Sequence, residues 1–79
     1  MKIEEHLNKL RGLIINEQLT AAELQEKANE IKAQIDNITD INSKTNFIKE
    51  LLKIIALHYN RKFEALGLGN NRIEVFKSV

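Results

Sequence analysis

The longest hydrophobic pattern of the chain lies between residues 43 and 66. Apolar side chains cover about half of a helical wheel drawn for this stretch, namely Phe47, Ile48, Leu51, Leu52, Ile54, Ile55, Ala56, Tyr59 and Phe63. A helix that packs against a single neighbour needs an apolar stripe of only about 100°. The pattern therefore predicts a central helix over 43–66 that contacts at least two other helices. Leu52 and Ile55 lie in the middle of the apolar sector, so we expect both in the core.

Two shorter amphipathic patterns precede this helix. In residues 2–15, one face carries Ile3, Leu7, Leu10 and Ile14. Residues 20–37 begin with Thr20 and Glu23 at the spacing of a capping box, in which each side chain accepts a hydrogen bond from the backbone N–H of the other. The polar break between the two patterns is short, which predicts an antiparallel helical hairpin. Gly12, inside the first helix, predicts the close approach of a neighbouring helix.

The two ends of the third helix carry residues that are typical of helix caps. Several capping residues occur between positions 40 and 43, so the helix is expected to start in this interval. At the other end, Gly67 follows Leu66 and can adopt the left-handed conformation of a Schellman motif. Leu68 would then fold back as the hydrophobic contact of that motif.

The C-terminal residues 72–79 permit two interpretations. Ile73 and Val75 alternate with polar residues as in a β-strand, whereas Asn71 and Glu74 have the spacing of a capping box for a short fourth helix. A lone strand would have to pair with another copy or with another protein. The sequence therefore predicts a single all-α domain, a three-helix bundle with a C-terminal extension that is either strand-like or a short helix.

Composition narrows the classes of protein that remain. The 79 residues include no cysteine and no proline, and 43% are hydrophobic. Without disulfides, a chain of this size is stable as a compact bundle, as an oligomer or with a partner. The N-terminal residues lack the apolar segment of a signal peptide, and no apolar run approaches the ~20 residues that span a bilayer. We therefore expect a cytoplasmic location and no membrane contact.

Charge is unevenly distributed along the chain. Residues 1–41 contain five basic and eight acidic residues, whereas residues 42–79 contain seven basic and three acidic residues. We expect the two fields to cancel within the fold. The alternative is a basic surface on the C-terminal half that binds an anionic partner such as nucleic acid.

Residue patterns that carry catalytic or metal-binding chemistry are missing from the sequence. It has no cysteine nucleophile, no glycine-rich phosphate loop and no pair of histidines at metal-binding spacing. His6 and His58 stand alone, and His58 is expected to be a core or boundary histidine that makes one hydrogen bond. Acidic residues occur in first helical turns and on polar faces, where helix dipoles and solvation favour them. The sequence therefore predicts no enzyme, no catalytic residue, no metal and no cofactor.

Several apolar residues are not needed by a simple three-helix bundle. Leu57 lies among charged residues on the wheel, Ile15 lies off the apolar face of the first helix, and Phe76 lies opposite Ile73 in the tail. Exposed apolar residues on a small fold indicate a protein interface. The predicted interface residues are Ile15, Leu57, Arg61, Ile73, Val75 and Phe76.

These observations predict a non-enzymatic protein–protein interaction protein. Small size and a composition rich in Asn, Lys and Ile suggest a regulator, inhibitor or immunity protein of a bacterium or phage. The tail could also join two copies into a homodimer. The alternative function is a nucleic-acid-associated accessory protein that uses the basic C-terminal half.

Overall fold

Three α-helices make up most of the computed structural model, which describes residues 2–74. They are α1 (Lys2–Ile15), α2 (Ala21–Asp36) and α3 (Ile41–Ala65), and a single 3₁₀ turn (Gly69–Asn71) follows them. Each of the three α-helices packs against the other two. Within residues 2–74 there is no β-strand. The predicted all-α three-helix bundle is confirmed.

One apolar stripe from each α-helix contributes to the core. Its buried members are Ile3, Leu7, Leu10, Ile14, Leu24, Ile31, Ile35, Leu51 and Ile54. The four residues of α1 are those that the sequence pattern predicted. Leu10, Ile35 and Ile54 are the most completely buried side chains, one from each helix. They mark the level at which the three helices meet.

The turn between α1 and α2 is held by backbone hydrogen bonds and by the predicted capping box. Glu17 adopts a left-handed backbone conformation, with φ of 56°. The N–H of Gln18 donates to the carbonyl of Leu13 (2.9 Å), which closes α1 as in a Schellman motif. The backbone N–H of Glu23 donates to the Thr20 hydroxyl at 3.2 Å, and that of Thr20 donates to the Glu23 carboxylate at 3.3 Å.

Helix α3 starts at Ile41, within the predicted interval of 40–43. Asp40 acts as the N-cap, since its carboxylate accepts hydrogen bonds from the backbone N–H (3.0 Å) and the hydroxyl (2.7 Å) of Ser43. The hydrogen bond from the Ser43 hydroxyl is the largest cause that lowers the pKa of Asp40 below its usual range. The hydrogen bond from the Ser43 N–H lowers this pKa further. An anionic cap here also lies at the positive end of the helix dipole.

The C-terminus of α3 is the predicted Schellman motif. Gly67 has a φ of 74°, which an L-residue rarely adopts. The N–H of Leu68 donates to the carbonyl of Phe63 (2.7 Å), and the N–H of Gly67 donates to the carbonyl of Glu64 (3.1 Å). This pair of hydrogen bonds satisfies the last carbonyls of the helix.

The expectation that Leu52 lies in the core is wrong. Its side chain is 44% exposed, whereas Ile54 is 1% exposed. Helices α1 and α2 both pack on the side of α3 that carries Leu51 and Ile54, so the neighbouring sector with Leu52 is left partly uncovered. Ile55 lies between the two sectors and is half-buried against the core.

The expectation of a close helix approach at Gly12 is also wrong. A Cβ atom built at this position would meet no other atom within 4 Å. Gly12 is half-buried, but the direction in which a side chain would point from it is open and no neighbouring helix lies there. The glycine is therefore not required by packing.

The burial of α3 predicts different costs for two matched substitutions. Ile54→Ala should lower the free energy of unfolding by about 2–5 kcal/mol, because it leaves a cavity in the core. Leu52→Ala deletes the same number of carbon atoms from a partly exposed position and should cost markedly less. Urea denaturation of both variants measures the difference. Equal losses would contradict this assignment of the buried face.

Candidate functional site

Helix α3 carries a second apolar stripe beside the one that enters the core. Its residues follow one another at spacings of four and three, and they are Ile41, Thr45, Ile48, Leu52, Ile55 and Tyr59. All except the half-buried Ile55 are exposed. The exposed fractions of Ile48, Leu52 and Tyr59 are 39%, 44% and 41%. We call this set the α3 stripe.

A groove of about 240 Å³ runs between the α3 stripe and α2. Ile48, Leu52 and Ile55 form its α3 wall, and Ile35 and Leu51 lie at its base. On the α2 side, the groove is bordered by a polar edge, which we call the α2 rim, consisting of Asn29, Lys32 and Asp36. The groove combines an apolar floor with a few polar groups at one edge, which is typical of a surface that binds a helix.

Sequence reasoning missed the α3 stripe as a surface because it assigned the whole apolar half of α3 to the core. A signal was nevertheless present. The wheel carries two adjacent stripes, and the helix hairpin that precedes α3 can cover only one of them unless the helices diverge. Which of the two stripes is covered depends on where α1 and α2 pack, and the wheel does not contain this information.

The predicted interface residues do not form one surface. Ile15 lies at the end of α1 and is 50% exposed. The guanidinium of Arg61 donates to the carbonyl of Ile15 and to the carboxylate of Glu17, both at 3.2 Å. Ile15 and Arg61 are therefore brought together at the α1–α2 turn. Val75 and Phe76 lie outside the described residues.

Leu57 is not the exposed residue that the sequence predicted. Its side chain is half-buried and packs against the core cluster. Helix α1 covers this flank of α3, where Arg11 forms an ion pair with Glu50 at 3.3 Å. Leu57 also lines a cavity of about 550 Å³ between Arg11 and Ile73. It therefore shares a site with Ile73 but not with Ile15.

Asn60 holds the chain that follows the 3₁₀ turn. This side chain is buried, and its Nδ2 atom donates to the carbonyl of Ile73 at 2.9 Å. The N–H of Ile73 donates in return to the Oδ1 atom of Asn60 at 2.6 Å. The amide thus offers one donor and one acceptor to the backbone, as a neighbouring strand would. Nothing in the local sequence indicated this pairing, because the two residues lie on separate elements.

The tail is better attached to the bundle than the sequence suggested. Arg72–Glu74 form neither the strand nor the short helix that were considered for residues 72–79, and residues 75–79 lie outside the described part. Ile73 is fixed by Asn60, and Arg72 lies 3.8 Å from the carboxylate of Glu64. Residues 72–74 are therefore part of the folded domain, although Ile73 keeps 41% of its surface exposed.

Basic residues of the C-terminal half lie beside carboxylates. Arg61 pairs with Glu17, Lys53 pairs with Glu50, and Arg72 pairs with Glu64. Only the first of these pairs joins the basic half to the acidic half of the chain. Each pair is solvent-accessible and contributes about 0–1 kcal/mol at most. Their effect is to divide the positive charge among several small, locally balanced groups.

His58 is buried on the core side of α3. Its Nε2 atom has no hydrogen-bond partner within residues 2–74. The ring makes an edge-to-face contact with Tyr59, with 5.2 Å between ring centroids. The pKa of His58 is lowered mainly by burial, which disfavours the charged imidazolium. The positive charge of Lys62 lowers it further.

The pairing of Asn60 with Ile73 predicts the effect of removing the amide. Asn60→Ala should release residues 72–74, accelerate hydrogen exchange at the Ile73 N–H and lower the free energy of unfolding by about 1 kcal/mol. The control is Asn46→Ala, which changes an exposed asparagine of the same helix. Exchange at Ile73 is read by NMR. An unchanged exchange rate in Asn60→Ala would show that other contacts hold the tail.

The lowered pKa of His58 predicts a loss of stability in mild acid. Below about pH 6.5 the unfolded chain takes up a proton at this imidazole more readily than the folded chain does, so stability falls as the pH decreases. His58→Leu should remove most of this decline between pH 7 and pH 5 without lowering stability at neutral pH. Urea midpoints at several pH values test this. If His58→Leu loses as much stability between pH 7 and pH 5 as the parent chain, the loss is caused by other titratable groups.

Comparison of the chain with protein-family models, with curated proteins and with solved structures found no match. Within residues 2–74, no three or more His, Asp or Glu side chains converge as metal ligands would. None of the helices in this part of the chain combines the length and the apolar character needed to cross a membrane. The α3 stripe and its groove are therefore interpreted from their own geometry.

Proposed function

We propose that this chain is a non-enzymatic protein–protein interaction protein that binds its partner through the α3 stripe and the α2 rim. The observation that carries the proposal is the exposure of Ile48, Leu52 and Tyr59 in one continuous line along a helix. A single exposed apolar residue requires no explanation, whereas a contiguous line of them is typical of a binding surface.

The shape of the surface favours a helical partner. From Ile41 to Tyr59 the stripe extends over about 27 Å at 1.5 Å per residue. A helix laid along it would place apolar residues at three- and four-residue spacing against Ile48, Leu52 and Ile55. Its flank would contact the α2 rim. The central position of Leu52 makes it the residue whose burial should contribute most to binding.

The role in the cell is proposed on more general grounds. A short chain with one binding surface suits a regulator, an inhibitor or an immunity protein of a bacterium or phage, and this class rests on size and composition. A cytoplasmic location belongs to the same proposal and is compatible with the absence of cysteine. Ile15 and Ile73 remain exposed as predicted, but each stands apart from the α3 stripe.

The nucleic-acid alternative has less support from the arrangement of charges. Lys53, Arg61 and Arg72 each lie next to a carboxylate, and phosphate binding would require these groups to exchange partners. The exposed aromatic residue of α3, Tyr59, belongs to the apolar stripe. We therefore propose protein binding ahead of nucleic-acid binding.

A matched pair of charge insertions tests the proposal. Leu52→Asp places a carboxylate in the middle of the α3 stripe, and Ile15→Asp places one at a comparably exposed position elsewhere. The tagged chain and both variants are cross-linked in cells that express it, and the bound proteins are identified. We expect the cross-linked species to disappear with Leu52→Asp and to persist with Ile15→Asp. The proposal that the α3 stripe binds the partner would be refuted if Leu52→Asp left the cross-linking unaffected. It would also be refuted if only Ile15→Asp abolished the cross-linking.

A further inference from the structure

We propose that a cavity between the end of α1 and the last two turns of α3 binds a small amphipathic monocarboxylate, whose carboxylate contacts His58 and Lys62. The inference goes beyond the proposed function, because it concerns a small ligand rather than a protein partner. It is also independent of that function, since neither residue belongs to the α3 stripe or to the α2 rim.

The cavity combines apolar and polar side chains. Its volume is about 280 Å³, and its apolar lining consists of Ile14, Leu19 and Ala65. Its polar lining comes from the α1–α2 turn with Glu17 and from α3 with His58, Arg61 and Lys62. The three polar residues of α3 share one face of the helix, because they are three and four positions apart. The volume lies at the lower end of the range of small-molecule sites, so it suits a ligand of few carbon atoms.

His58 supplies a hydrogen-bonding group that the fold itself does not satisfy. The residue is 6% exposed, and its Nε2 is the one buried side-chain N or O atom without a partner among residues 2–74. Buried polar atoms are nearly always hydrogen-bonded. A neutral imidazole that carries its proton on Nε2 can donate to a carboxylate oxygen. An acceptor bound in this cavity would therefore satisfy His58.

The charges around the cavity favour a single negative charge. Arg61 is compensated by the carboxylate of Glu17, which lies 3.2 Å from its Nη2 atom. Lys62, by contrast, forms no ion pair with another residue of the part of the chain that the structure describes. Its charge acts on the His58 imidazole, one helical turn away. One uncompensated positive charge thus lies beside one unsatisfied donor, and a monoanion is complementary to both.

The apolar lining favours a carboxylate with an apolar body over an inorganic anion. Such a body can contact Ile14, Leu19 and Ala65, whereas phosphate has no apolar surface to place against them. Phosphate groups also carry nearly two negative charges at pH 7, against one uncompensated positive charge here. Because the C-terminal end of a helix is negative, the end of α3 opposes an anion, and we expect only millimolar affinity for a short acid.

An NMR titration of the full chain with sodium hexanoate at pH 7 tests the site. The chain has two histidines, and His6 is exposed and does not line the cavity, so it serves as an internal control. We expect the imidazole resonances of His58 to shift with a saturable dependence on hexanoate, while those of His6 stay fixed. The absence of a saturable shift at His58 would overturn the proposal.

Two further ligands separate the contributions of charge and apolar surface. We expect 1-hexanol, which has a similar apolar body without the charge, to bind about tenfold more weakly than hexanoate. Inorganic phosphate should give no saturable shift at His58. Equal binding of hexanoate and 1-hexanol would overturn the carboxylate contact, and saturable binding of phosphate would overturn the need for an apolar body.

A matched pair of lysine substitutions tests which charge is used. Lys62→Gln should weaken hexanoate binding by about tenfold, whereas Lys53→Gln changes an exposed lysine of α3 outside the cavity and should leave it unchanged. Both residues are exposed, so we expect both variants to fold, which circular dichroism verifies. Equal affinities of Lys62→Gln and the parent chain would overturn the proposed contact.

The pKa of His58 provides a readout that a distant binding site would not move. A carboxylate beside the imidazole favours the charged imidazolium, so saturating hexanoate should raise the pKa of His58 toward its ordinary value. The pH titration of the His58 resonances, with and without hexanoate, measures this change. A pKa that stays the same in saturating hexanoate would overturn the contact with His58.

Discussion

The architecture of this protein depends on one constraint: the apolar sector of α3 is wider than the surface that α1 and α2 cover. Helix α3 has 25 residues, whereas α1 and α2 have 14 and 16. The two shorter helices meet α3 on the side of Ile54, at the level marked by Leu10 and Ile35. The sector that begins at Leu52 therefore lacks a third neighbour within the described residues. The exposed stripe is a direct consequence of this packing.

Polar contacts determine how the shorter elements are placed around α3. Asp40 caps the start of α3, and Arg61 binds the carbonyl and the carboxylate at the end of α1. Asn60 uses a buried amide to hold the backbone of Ile73, which directs the chain along the flank opposite to the α3 stripe. These contacts keep α1 and residues 72–74 away from the α3 stripe, which is therefore left uncovered within the described residues.

Binding of the proposed partner would add to a small core. A chain of 79 residues builds only a small core, and the free energy of unfolding of such domains is correspondingly low. Covering Leu52 and its neighbours with a partner would add apolar burial and couple the stability of the fold to the concentration of that partner.

Local chemistry in the sequence determined the three helices and their ends. The residues of the capping box at Thr20 and of the turn at Gly67 are close in the chain, so their hydrogen bonds follow from spacing alone. The covered sector of α3, the burial of Leu57 and the pairing of Asn60 with Ile73 were decided by tertiary structure. The physical reason is that a helical pattern gives the angle of each side chain around its own axis. It does not give the direction from which another helix approaches.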